Sequence, residues 1–322
     1  MPIAATMTSC CPHGVRVSPT TIGFAAKPLQ RIITIMRTHH FVSLLLFLLA
    51  LNPGPTQAQA PTAPPARAYR VLLVGNDMTY TNNLPALLRA VGTAQGTPII
   101  TETFAAPGGT LSDRLDDGHA SAALGQNRYD AIVLQEQGGK LAACMAKAQR
   151  NAPCTASLRA YRAFANLART QNAKVLVFSS WGPDRRWNAR LGYSARNVAE
   201  QVGGSIFNAA GALDSFRKAQ PGSNPLPDGQ HPNIQASLLL ALTLYRDITG
   251  NVPTARDLQI TAPLLPFNAA VAADRPIEAQ PGLAGDGKVT VVPAALIAPL
   301  LQALPKARPD GASGDEEEDE EE

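Results

Sequence analysis

Apolar residues come along this chain in short bursts, and two kinds of burst alternate. Val71 to Val74 is an apolar run rich in β-branched residues and bounded by Gly75-Asn76, which predicts a buried strand ending in a tight turn. Leu84, Leu87, Leu88 and Val91 then recur at helical spacing, so a helix follows. The pair repeats down the chain. Thr97 to Phe104 predicts a second strand, closed by the loop Ala105-Ala106-Pro107-Gly108-Gly109-Thr110, and Leu111 to Leu124 a helix. Asp130 to Leu134 predicts a third strand, followed at once by Gln135-Glu136-Gln137-Gly138-Gly139. Leu158 to Gln171 has helical spacing, and Lys174 to Ser179 reads as a fourth strand. Trp181 to Gly192 reads as a polar, Arg-rich loop before a helix over Tyr193 to Val202. Ser205 to Asn208, Ala209 to Ala219 and Ile234 to Ile248 predict a short fifth strand and two helices, the last Leu-rich and buried. Strands alternating with helices imply a three-layer α/β/α fold around a largely parallel sheet.

That alternation is confined to residues 69–250, and the flanks read differently. Phe41 to Leu51 is a continuous apolar run preceded by Arg37, His39 and His40 and followed by Ala58-Gln59-Ala60. A basic start, a short apolar centre and an A-x-A site describe a secretory signal peptide over residues 36–60, opening at Met36. Residues 1–35 are then an over-extended start of the reading frame; the other reading is a true extension carrying one membrane anchor. The run is short for a membrane span, so no stable span is expected after cleavage. Residues 61–68 form a Pro/Ala linker, and 251–310 a Pro- and Ala-rich extension with one amphipathic stretch, Val289 to Leu304. The acidic run Asp315 to Glu322 marks 311–322 as a self-repelling, disordered tail.

Composition alters this picture in two places. The formal net charge of +3 sits on scattered Lys and Arg, and aromatics are only 5% of the chain, so nucleic acid is excluded as a partner. Export, to the periplasm or beyond, sets the reading of cysteine. Cys10 and Cys11 fall in the leader, which leaves Cys144 and Cys154 to form a disulfide around a small loop.

Four polar blocks follow the predicted strands: Gly75-Asn76-Asp77-Met78-Thr79-Tyr80, Gly108-Gly109, Leu134-Gln135-Glu136-Gln137, and Asp228-Gly229-Gln230-His231-Pro232. In that order they resemble the SGNH/GDSL-type hydrolases, more closely their secreted bacterial branch, over residues 69–250. The resemblance implies a flavodoxin-like fold and cleavage of ester, thioester or acetyl bonds on lipids or glycans, with no cofactor and no metal. A hydroxyl nucleophile is weak until an imidazole takes its proton, and the imidazole must be held by a carboxylate. His231 and Asp228 suit the base and orienting roles. By resemblance, the backbone after the first strand at Asn76, the backbone of Gly109, and the amide of Gln137 or Gln135 would form the oxyanion hole. Glu136 is expected to be structural. Trp181, Trp187, Arg185 and Arg186 are read as core aromatics and solvated arginines, or as lining of the groove.

The family's nucleophile is a serine, and this chain has Asp77 in its place. A carboxylate attacking an ester would form a mixed anhydride and would give His231 no proton to abstract. An Asp77–His231 contact would instead be an ion pair holding the imidazole protonated. Three readings follow: Asp77 positions a water in an altered mechanism; Thr79 or Ser112 supplies the hydroxyl; or the chain binds ligands without cleaving them.

Overall fold

The computed structural model describes residues 67–144 and 152–306. The leader, signal-peptide and acidic-tail expectations therefore lie outside the described residues, as do all but the end of the linker and the last residues of the extension.

Five strands, β1 (Tyr69–Gly75), β2 (Ile99–Ala105), β3 (Ala131–Leu134), β4 (Lys174–Phe178) and β5 (Ser205–Phe207), form one sheet in the order β2-β1-β3-β4-β5. Every pairing within it is parallel. This is the flavodoxin-like order, with its switch point between β1 and β3, and the fold is a three-layer α/β/α sandwich. Alternation along β1 shows how the layers are built. Val71 and Leu73 pack with α2 (Leu84–Ala94), α8 (Ala209–Ala219) and α9 (Ile234–Thr249). Leu72 and Val74 face the other way, into α3 (Leu111–Asp116), α4 (His119–Gln126), α6 (Ala152–Arg169) and α7 (Arg185–Val202). All four side chains are fully buried, because both faces of a parallel sheet are covered.

Two predicted elements differ from those observed. The helix expected over Leu111 to Leu124 is two helices, broken at Asp117-Gly118, where Gly118 takes a left-handed φ of 75° that favours glycine. The loop expected over Trp181 to Gly192 is mostly the start of α7. Asp184 caps that helix by accepting from the Trp187 N–H at 2.8 Å. The buried stripe of α7 begins only at Leu191 and continues through Ala195, Val198 and Val202, so its first two turns carry little apolar signal. The short helix α5 (Gly138–Ala142) was not visible in the apolar pattern at all. Cys144 and Cys154 form a disulfide.

Residues 251–306 pack onto the sandwich. The antiparallel pair β6 (Leu258–Ile260) and β7 (Thr290–Val292), with α10 (Ala294–Gln302), sends Leu258, Ile260, Ile297 and Leu300 into the core shared with α2 and α9. Glu278 reaches the outer edge of β2. There it accepts from the Thr103 N–H at 2.8 Å and from the Thr101 and Thr103 hydroxyls at 2.6 and 2.8 Å. An edge strand otherwise offers unpaired backbone groups, and this carboxylate caps one of them, the Thr103 N–H.

Among the described residues, no helix is long and apolar enough to cross a membrane.

Candidate active site

The site lies beyond the carboxyl ends of β1 and β3, the expected crevice of such a sheet. It begins with the turn after β1. Gly75 has no room for a side chain: a Cβ there would sit 2.2 Å from Thr79 Oγ1 and 2.6 Å from Gln135 Oε1. That close approach lets the buried Gln135 amide hold the turn. Its Oε1 accepts from the Asn76 N–H (2.8 Å) and the Thr79 hydroxyl (3.0 Å), while its Nε2 donates to the Glu136 carbonyl (2.7 Å). The Asn76 side chain caps α1 (Asp77–Tyr80) by accepting from the Met78 N–H and donates to the Gly109 carbonyl at 3.0 Å. Asp77 is thereby fixed at the start of a short helix.

A second loop brings the imidazole. His231 Nδ1 lies 2.7 Å from Asp228 Oδ2, and Nε2 lies 3.1 Å from Asp77 Oδ2. Asp228 Oδ1 also accepts from the backbone N–H groups of Gln230 (2.9 Å) and His231 (2.6 Å). Burial would push the Asp228 carboxyl up, but the His231 amide and ring and the Gln230 amide outweigh it and hold the group at about 2. An ionised carboxylate only accepts, so where both Asp77 and Asp228 are ionised each ring nitrogen of His231 is the donor. The loop is tied down by the buried Trp181, whose indole N–H donates to the Gln230 carbonyl at 2.7 Å. Asn82, in a left-handed conformation, donates to the Pro232 carbonyl (2.7 Å) and to the Ser237 hydroxyl (3.0 Å).

The other oxygen of Asp77 is held from the third loop, where the Gly108 N–H donates to Oδ1 at 2.7 Å. The neighbouring Gly109 N–H is turned away and bonds the Ala106 carbonyl at 3.1 Å. Glu136 is fully buried and braces this loop, accepting from the N–H groups of Leu111 (3.0 Å) and Gln137 (2.8 Å) and from the Ser157 hydroxyl (2.7 Å). Burial raises its carboxyl above the usual range, against the pull of these donors.

The expected residues thus divide. Asp77, Asp228 and His231 meet. Gly109 was expected to donate to a substrate oxyanion; it is the Gly108 N–H that reaches the site, and it donates to Asp77. Asn76 and Gln135 are spent on holding the β1 turn, and the Gln137 side chain is exposed. Neither Thr79 nor Ser112 is on the imidazole, because both ring nitrogens are taken by carboxylates and the Thr79 hydroxyl is bound to Gln135. Trp181 is a core anchor; Arg185 and Arg186 are exposed in the first turn of α7.

Phe267 also belongs to the site, though no polar block marks it. Its ring stacks on His231 with centroids 4.1 Å apart and 10° between planes, and its carbonyl accepts from the Tyr80 hydroxyl at 2.7 Å. Burial, then the charge of Asp77, push the Tyr80 hydroxyl up to about 12, so it stays a donor. The adjacent prolines and alanines hid Phe267; a lone aromatic in a Pro/Ala-rich stretch was the available signal. Asp77 and His231 retain 13% and 11% of their side-chain exposure, so neither is sealed in the core.

No family model matches the chain, and no curated protein matches it. Among solved structures it is similar to TesA, at 19% identity over 56% of this chain and 98% of that one, with a TM-score of 0.43. It is also similar to Axe2, an acetylxylan esterase from Geobacillus stearothermophilus, at 13% identity over 60% of this chain and 99% of that one, with a TM-score of 0.43. A third is a lipase/acylhydrolase from Enterococcus faecalis, at 16% identity over 56% and 96%, with a TM-score of 0.42.

Proposed function

We propose that the chain is an exported SGNH-like hydrolase acting on acyl or acetyl ester bonds of lipid or glycan substrates. The observation that carries this is the clamp on His231, whose ring nitrogens lie 2.7 Å from Asp228 and 3.1 Å from Asp77. A carboxylate and an imidazolium side by side form an acid–base pair. Asp77 takes a proton from water as that water attacks the ester carbonyl. His231 gives its Nε2 proton to the departing alkoxide, and Asp77 then returns its proton to His231. Asp228 holds the ring in one orientation throughout. This route needs no side-chain hydroxyl and avoids a mixed anhydride.

A second reading is a binding protein of the same fold that does not cleave. The Gly108 N–H favours it: a donor suited to a substrate oxyanion is engaged by Asp77 itself.

The test is hydrolysis of a short-chain aryl ester by residues 61–322, comparing wild type, Asp77→Asn, Asp77→Ser and His231→Ala. The hydrolase reading expects activity in wild type that both Asp77→Asn and His231→Ala remove. Activity in Asp77→Ser alone would establish the binding reading, with a scaffold that lacks only its hydroxyl. Silence in all four would refute the assignment of the site.

A further inference from the structure

Asp77 is ill-suited to attack an acyl carbon, yet its surroundings match those a carboxylate needs to attack a saturated one. Attack on an ester would give a mixed anhydride, more reactive than the substrate. Attack on an sp3 carbon gives an ordinary alkyl ester, which is a stable intermediate. Carboxylates are established nucleophiles at centres of that kind. We propose that Asp77 opens epoxides, forming an aspartyl ester that the same site then hydrolyses to a diol.

The distances supply a part for each group. Asp77 Oδ2 attacks a ring carbon; the C–O bond breaks, and its electron pair goes to the ring oxygen. That oxygen takes the Nε2 proton of His231, which lies 3.1 Å from Oδ2. The products are a β-hydroxyalkyl ester on Asp77 and a neutral imidazole, still oriented by Asp228 at 2.7 Å. His231 next takes a proton from water, and the hydroxide adds to Asp77 Cγ. Negative charge then develops on Oδ1, where the Gly108 N–H already donates at 2.7 Å. The oxyanion donor thus serves the enzyme's own ester. Collapse expels the diol's alkoxide, which His231 protonates, and the Asp77 carboxyl proton returns to the imidazole. The sum is epoxide plus water to diol, with no other reactant.

Phe267 indicates the substituent. Its ring covers one face of His231, and the residue is 43% exposed, an apolar wall beside the reacting atoms. A small aryl- or alkyl-substituted epoxide fits that wall. The inference goes beyond ester hydrolysis, although it uses the same three side chains.

The experiment uses residues 61–322 and styrene oxide in oxygen-18 water, with two readouts. The first is peptide mass after acid quench during turnover, and the second is peptide mass after many turnovers. The expected results are an adduct of one epoxide on the peptide containing Asp77, then oxygen-18 in the Asp77 carboxylate. Folded Asp77→Asn should lose both. Diol labelled without label in Asp77, adducts only on other residues, or neither adduct nor label would each overturn the proposal. Both readouts report on Asp77 alkylation whatever the aryl-ester assay gives, so failure of the two readings can be told apart.

Discussion

The two loops that meet at His231 hold their carboxylates in different ways. Asp228 is locked by its own loop, with two backbone amides and the imidazole on its oxygens, although its side chain is 42% exposed. Asp77 is more enclosed, at 13%, and among the described residues its carboxylate is held by groups distant in sequence, Gly108 and His231. A carboxylate saturated by its own backbone is a fixed orienting group. One whose partners come from separate loops can exchange them for water or substrate. Under the proposed function, the difference suits Asp228 to orienting the ring and Asp77 to reacting.

The largest effect is expected at the fixed carboxylate. Asp228→Ala strands two backbone amides and frees the imidazole, and should lower kcat for ester hydrolysis by about 10²–10⁴-fold with little change in KM. A change confined to KM would show that Asp228 binds substrate rather than orienting the ring. Next comes the support beneath the other loop. Gln135→Leu leaves the buried Asn76 N–H and Thr79 hydroxyl without their acceptor, at a cost of about 1–3 kcal/mol. Thermal denaturation should show a Tm several degrees lower; an unchanged Tm would mean that the β1 turn holds itself.

A smaller effect is expected at Phe267→Ala, which removes a stacked ring worth about 0.5–1.5 kcal/mol. It should raise KM for apolar substrates more than it lowers kcat; the reverse would make Phe267 a positioning residue for His231. The pH response is the smallest. Because the folded Asp228 carboxyl is held at about 2, below its ordinary 3.8, its stabilising contribution is present above 3.8 and is lost as pH falls through about 2. Acid unfolding of Asp228→Asn should therefore lack a component that wild type shows between those values. Identical acid limbs would indicate that the loop bonds are not formed in solution.

How much was legible follows from where the physical signals lie. Val71 to Val74 and the Leu-rich α9 announce themselves because burial on both sides demands continuous apolar runs. Asp77, Asp228 and His231 were readable because each falls in a polar block directly after a strand or before a helix. Gln135 was visible as an amide, but its role was not: only the 2.8 Å bond to the Asn76 N–H shows that it supports the turn rather than the reaction. Gly108 and Gly109 are indistinguishable as letters, and the backbone direction that turns one N–H toward Asp77 is set by Glu136 and Asn76 from other strands. Phe267 and Glu278 act through contacts nearly 40 and 180 residues away in sequence, beyond any local period.

Nitrogen-15 NMR of the His231 ring reports on whether it bridges the two carboxylates. With both carboxylates ionised the bridge places protons on both Nδ1 and Nε2, and Asp77→Asn should shift the Nε2 resonance while leaving Nδ1 largely unmoved. A single ring proton in wild type, or an Nε2 resonance indifferent to Asp77→Asn, would contradict it.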